Sequence, residues 1–331
     1  MVPLSVLDLA PICSGSHAGN ALRNSLDLAQ HAEGWGFQRY WLAEHHGMTG
    51  IASAATAVLL AHIAAGTSTL RVGAGGIMLP NHSPLIIAEQ FGTLEALHPG
   101  RIDLGVGRAP GTDPATSRAL RRNSNAQAEH FPQDVAELMG YFKADPSCQQ
   151  VRAIPGEGQN VPLWILGSSL FGAQLAAHLG LPYAFASHFA PGQLIEAIKV
   201  YRENFKPSDA LAEPYVMLGI GVFAADSDAE AELLASSWQQ VFVNLFSGTP
   251  GQLPPPIVNY MSALPAIQQA MLQDVLACTV VGSADKIASE INDFVGETGA
   301  DELIITSQIY DHQARLHSYK IVADTLISSR S

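Results

Sequence analysis

Charged side chains are scarce in this 331-residue chain, at 14% of the total against roughly a quarter in an ordinary soluble domain. Cations are scarcest: 17 Lys and Arg stand against 30 Asp and Glu, a formal net charge of −13. That balance excludes the basic footprint that nucleic acid or an anionic membrane surface would require. Cysteine is almost absent too. Cys13, Cys148 and Cys278 are odd in number and widely spaced, so they build neither a disulfide framework nor a Cys-x-x-Cys metal knuckle. No apolar run reaches the length of a membrane span without charges or turn signals, and no basic segment followed by a long apolar stretch opens the chain. A cytoplasmic protein is the expectation. So little surface charge also suggests that some outer area is covered by a second subunit.

What the chain has in quantity is apolar sequence, 47% of residues, cut by glycine into short runs. Strands are expected at Leu4–Ala10, Phe37–Ala43, Leu70–Leu79, Ile102–Val106, Val161–Leu166, Tyr183–Ser187, Tyr215–Phe223 and Glu302–Thr306. Between them lie helical patterns: Ala21–Gly34, Ser53–Ala65, Pro84–Leu97, Phe171–Leu179, Leu194–Asn204, Asp228–Phe246 and Lys286–Thr298. Residues 117–139 read as one broken helix, and Gly248–Pro256 as a Pro/Gly-rich connector. The strands lack a wet face, as when helices cover both sides of a parallel sheet. Composition does not shift along the chain, so residues 1–331 read as one domain. Eight alternations in one domain predict an α/β fold, a TIM (β/α)8 barrel with loop insertions at its C-terminal face. A doubly wound sheet is the runner-up, but Ile12-Cys13-Ser14-Gly15-Ser16 does not resemble the phosphate loop it needs after strand one.

In a barrel the carboxyl ends of the strands converge on one mouth. There the chain places Glu44-His45-His46, Pro80-Asn81-His82, Arg108, Gly167-Ser168-Ser169, Ser187-His188 and Ser307-Gln308. Gly100 to Thr112 is the most informative stretch, an apolar strand running into a glycine-rich loop with Arg108 in it. Either Arg108 grips an anion or it is a surface arginine after a core strand. Gly167-Ser168-Ser169 before a helix offers hydroxyls and free amides to an anion, with an ordinary serine N-cap as the plainer alternative. Arg118 is a second cation within reach of the same loop in sequence. His45 and His82, with Glu44 or His188, would be the ligands of a zinc site, but adjacent histidines on a strand cannot point the same way, and no metal is expected. Gly-x-Ser-x-Gly is absent, which removes the common serine-nucleophile turn. Glycines 73, 75 and 76 inside strand three suit either a flat ring lying against the backbone or crowding by a neighbouring helix.

Together these pieces resemble the bacterial luciferase-like flavin monooxygenase family, in its single-chain branch. The resemblance is carried by Tyr40-Trp41-Leu42-Ala43-Glu44-His45-His46, Val72 to Pro84, Leu97 to Gly111, Gly167 to Pro182 and Val281-Gly282-Ser283. It implies a TIM barrel that binds reduced FMN in its mouth and inserts one atom of O2 into a small organic substrate. A separate NAD(P)H:flavin reductase would supply the FMNH2. His45 matches the histidine needed for turnover. Gly75-Gly76 falls where the family has a non-prolyl cis peptide under the flavin ring. Arg108, Arg118, Gly167 and either Ser168 or Ser169 match the flavin-phosphate site.

The departures are also specific. Gly107 stands where luciferase has a reactive cysteine, and the lid between strands seven and eight is reduced to the proline-rich Gly248 to Asp274. Light emission is therefore not expected. Relatives that use the deazaflavin F420 for hydride transfer would grip its phosphate with the same residues, and a non-catalytic flavin-binding protein would retain them as well. The resemblance further implies a homodimer, for which the low-charge helices Ser53–Ala65 and Pro84–Leu97 are the candidate surface.

Overall fold

A computed structural model describes residues 2–109, 112–120, 129–144 and 151–328. Nine parallel strands form it: β1 Leu4–Asp8, β2 Arg39–Leu42, β3 Arg71–Met78, β4 Ile102–Gly107, β5 Leu163–Gly167, β6 Tyr183–Phe185, β7 Val216–Ala224, β8 Thr279–Gly282 and β9 Glu302–Thr306. Their order is β6-β5-β4-β3-β2-β1-β9-β7, and a β6–β7 pairing closes the ring, giving the TIM barrel expected from the alternation. The ninth strand departs from that expectation. β7 is long enough to pair with β6 and β9 through its first part and with β8 through Gly221–Ala224, so β8 lies outside the closed ring. Thr279–Gly282 is too short and too close to the next helix to stand out as a strand in sequence.

Twelve helices surround the sheet among the described residues: α1 Ala18–Trp35, α2 Thr56–Ala65, α3 Pro84–Leu97, α4 Pro114–Leu120, α5 Phe131–Tyr141, α6 Leu170–Leu179, α7 Leu194–Asn204, α8 Asp228–Phe246, α9 Tyr260–Ala263, α10 Ala266–Val275, α11 Ala284–Thr298 and α12 His312–Leu326. The broken helix read across 117–139 is two helices, with 121–128 outside the described residues. Gly34 does not end α1. The helix runs one residue past it, and Gly36, at φ 85° in the left-handed region, closes it by donating to the carbonyls of Ala32 and Glu33. Ser227 caps α8 and Asp311 caps α12, each side chain accepting from the backbone N–H three residues on. α12 had no counterpart in the sequence reading, because its buried face includes the polar Arg315 and Ser318 among apolar residues.

Side chains facing the barrel axis change character from bottom to top. At the amino ends of the strands the interior is ionic. Arg39 bridges Asp103 (2.8 Å) and Glu302 (3.0 Å), Arg71 reaches Asp103 (2.6 Å), and Tyr215 and Ser5 donate to Glu302. Above this lies an apolar layer of Leu7, Trp41, Trp164, Met217 and Ile304, in which the two indoles meet edge to face at 5.2 Å. Higher still the interior positions are small: Ala43, Gly75, Ala184, Ala186 and Gly219. A filled base under a layer of minimal side chains leaves a chamber at the carboxyl end.

The β3 glycines are demanded by their neighbours. A Cβ on Gly73 would stand 2.6 Å from the Asp103 carbonyl oxygen and 2.7 Å from Trp41 Nε1, and one on Gly76 would stand 2.6 Å from the Gly105 carbonyl oxygen. The crowding comes from β4 and Trp41, with no helix involved. Gly105 answers from the other side, where a Cβ would overlap the Ala74 carbonyl oxygen. Gly105→Ala is therefore expected to lower stability by roughly 1–3 kcal/mol. Gly34→Ala, an exposed helical site with nothing within 4 Å, should raise it by roughly 0.5–1 kcal/mol. Urea midpoints of the two variants measure both effects, and equal shifts would contradict this packing.

Candidate active site

The chamber has a volume of about 610 Å³ and opens among the carboxyl ends of the strands. Apolar and aromatic residues dominate its wall, including Leu9, Trp41, Phe189, Trp238 and Phe242, and its polar residues include His45, His46, His188 and Gln308. Part of its roof is the Pro/Gly-rich connector. Pro250, Gly251 and Leu253 line the chamber, and Leu253 is held in place by Leu253 N–H to Ile12 O (2.9 Å) and Ser14 N–H to Leu253 O (2.8 Å). Gly50 packs so closely under Gly251 that a Cβ would overlap its carbonyl oxygen. The roof thus rests on the loop after β1 and on the loop after β2.

His45, three residues beyond β2, lines the chamber, and His188, three residues beyond β6, does so from the far side of the ring. In the closed strand order β2 and β6 stand half a turn apart. Burial, with a smaller contribution from the neighbouring His45, drives the His188 pKa down to about 4, so His188 is neutral near pH 7.

The other two histidines of the mouth serve a different purpose. Glu44, buried behind the wall, accepts from His46 Nε2 (2.7 Å) and His82 Nε2 (2.8 Å) at one oxygen and from the Met78 N–H (3.2 Å) at the other. Burial alone would raise the Glu44 pKa. Hydrogen bonds from His46 and His82, with their charge, outweigh it and bring the value down to about 2. The potential ligand atoms of Glu44, His46 and His82 lie within 4.8 Å of one another. The trio differs from the zinc set considered in sequence, since His46, and not His45, joins His82. Its hydrogen bonds tie the end of β2 to the end of β3, which leaves the neighbouring His45 to face the chamber.

Arg108 leaves β4 and lays its guanidinium on the ring of Phe171, 4.1 Å from the centroid. Phe171 lies in the first turn of α6, directly after Ser168 and Ser169, so this stacking brings the arginine to the helix N-terminus. Phe171 was not singled out in sequence, where one aromatic after a serine pair carries no signal. Ser169 occupies the N-cap position, yet its hydroxyl makes no capping hydrogen bond. Gly167 ends β5, where a Cβ would face the Cα of Gly172 at 3.6 Å. The Gly75–Gly76 peptide bond is cis, and Gly75 lines the chamber. Arg118 sits in the last turn of α4, exposed, on a segment anchored by Thr112 Oγ1 donating to the His46 carbonyl (2.6 Å). Pro110 and Gly111, between the two arginines, lie outside the described residues.

A family model described as luciferase-like monooxygenase matches residues 2–302. The chain belongs to the luciferase-like monooxygenase family. Members of that family are flavin-dependent enzymes that incorporate oxygen, and this protein is one. It is similar to the luciferase-like monooxygenase of Escherichia coli K12, 55% identical over 98% of this chain and 96% of the relative. It is 32% identical, over the full length of both chains, to the N-acetyl-S-alkylcysteine monooxygenase of Bacillus subtilis. Among solved structures, apo-MsnO8 superposes with a TM-score of 0.89 at 35% identity, covering 98% of each chain. Among the described residues no helix is long and apolar enough to cross a membrane.

The Glu44 brace makes a pH-dependent contribution to stability. Its folded pKa lies below its ordinary value of 4.5, so the contribution is complete above about pH 4.5 and is lost as pH falls toward 2. Glu44→Gln is expected to lower stability by roughly 2–3 kcal/mol at neutral pH and to flatten the acid limb across that window. Urea unfolding at a series of pH values checks both, and an unchanged acid limb would show that the brace carries no such energy.

Proposed function

We propose that this protein takes FMNH2 from a separate NAD(P)H:flavin reductase and uses it with O2 to oxygenate a small organic molecule in the chamber. The observation that carries this reading is the stacking of Arg108 over Phe171 at the start of α6. A guanidinium on a ring in the first turn of α6, with the amides of that helix N-terminus and two serine hydroxyls just before it, supports a site for a phosphate monoester. The Ser169 hydroxyl is not engaged in capping its own helix, which leaves it for the ligand. The flavin phosphate would be held by Arg108, Ser168 and Ser169, with Arg118 adding charge from α4. Gly167 ends β5 immediately before the two serines and would lend its backbone to the same site. Gly75 and Gly76 form a wall without side chains on which a flat ring can lie.

Bound FMNH2 supplies the electrons that reduce dioxygen. The protein's own part is placement, dryness and proton handling. The apolar wall and the roof segment at Leu253 exclude water. His45, held by the backbone that the Glu44 brace fixes, moves a proton at a ring nitrogen. The two subunits of a homodimer would meet through α2 and α3, where Val58 is 73% and Leu97 65% exposed.

Anaerobic titration with photoreduced FMN, followed by rapid mixing with oxygen, tests the reading. Tight uptake and a long-lived near-ultraviolet absorbance are the expected result, and immediate return to oxidised flavin with peroxide release would overturn it. Arg108→Ala should weaken FMNH2 binding by about tenfold to a hundredfold, the worth of a charge-assisted contact. His45→Ala should leave that affinity within about twofold and slow oxygen transfer by a hundredfold or more. In sedimentation, Val58→Glu with Leu97→Glu should convert a dimer to monomers.

A further inference from the structure

His188 is a buried group that the flavin site does not use. It is 7% exposed, its Nδ1 is completely buried without a hydrogen-bond partner, and neither ring nitrogen makes a hydrogen bond within the described residues. Its ring packs edge to face on Phe189 at 4.9 Å and fills the space that a side chain at Gly219 would take, on the inner face of β7. A buried imidazole left unpaired is costly, and a phenylalanine or leucine would fill the same volume without that penalty. Nδ1 is shut against Gly219, so it is through Nε2, on a ring that lines the chamber, that His188 can meet whatever enters.

We propose that His188 is the polar contact for the organic substrate and selects an uncharged molecule with an apolar body and a single hydroxyl. The rest of the wall supports that class. Trp41, Phe189, Trp238, Val241 and Phe242 offer apolar and aromatic surface, and the lining among the described residues contains no Lys or Arg to pair with an anion. Its one carboxylate, Asp113, is turned to its own helix start, accepting from Thr116 Oγ1 at 2.5 Å. A neutral imidazole presents one N–H and one lone pair. A hydroxyl can serve Nε2 in either tautomer, as donor or as acceptor, whereas a carbonyl can serve it only when it is protonated. His188 stands half a ring away from His45, so a hydroxyl held there directs the apolar body across the chamber toward the reacting side.

This inference rests on the oxygenase reading of the chamber, and its test is a binding measurement that separates the two. Calorimetric titration with 4-ethylphenol, ethylbenzene and 4-ethylbenzoate is carried out with and without saturating oxidised FMN. Wild-type protein is expected to favour 4-ethylphenol over ethylbenzene by about tenfold and to bind the benzoate anion more weakly than either. His188→Phe should abolish the preference while retaining ethylbenzene affinity, and His188→Gln, which still hydrogen-bonds, should restore part of it. A purely structural histidine would change the phenol and the hydrocarbon alike. No preference in the wild type, a preference that survives His188→Phe, or tighter binding of the anion would each overturn the assignment. If His188→Phe does not fold, nitrogen NMR of the wild-type imidazole decides: 4-ethylphenol should shift the His188 signals, and an unmoved signal would refute the contact. Uptake of FMNH2 by the same preparations distinguishes the two failures. Intact flavin binding without phenol selectivity removes His188 alone, whereas absent flavin binding removes the reading beneath it.

Discussion

Charge neutralisation at the base of the barrel is the constraint on which the chamber depends. Arg39, Arg71, Asp103 and Glu302 come from four strands and are satisfied only when β2, β3, β4 and β9 occupy one ring in register. Breaking one partner of such a buried set typically costs 3–5 kcal/mol, because the remaining charge is stranded in a medium that cannot solvate it. The same charges close the lower end to ligands. With the base sealed and the indoles of Trp41 and Trp164 meeting edge to face above it, the chamber is left to the mouth.

That volume exists because residues were withheld from it. Gly73, Gly76 and Gly105 are small because β3, β4 and Trp41 approach too closely for any Cβ. Gly219 is small because the imidazole of His188 takes its place. One residue type therefore does two jobs in one layer: it lets strands pack in the wall, and it makes room for a side chain with chemistry to offer.

The histidines of the mouth fall into two settings. His46 and His82 spend their Nε2 donors on Glu44 and stiffen the ends of β2 and β3. His45 and His188 face the chamber from opposite strands. On the rim, Arg108 lies on an aromatic ring and, among the described residues, pairs with no carboxylate, an arrangement that suits the proposed flavin-phosphate site.

The sequence by itself determined the alternation of strands and helices, the eight strands that close the ring, and the presence of Arg108, Ser168, Ser169 and His45 at strand ends. These follow from local rules, since apolar runs, capping residues and glycine stops act over a few residues. The resemblance carried by those motifs led to the family and to the cis bond at Gly75–Gly76. Only the tertiary structure decided the rest: that Glu44 binds His46 and His82, that Phe171 carries Arg108 to α6, that β8 stays outside the ring, and that His188 faces His45 across the mouth. Each of these joins groups far apart in the chain. Their meeting is set by ring closure and by the packing of loops over it, and no periodicity in the sequence records either.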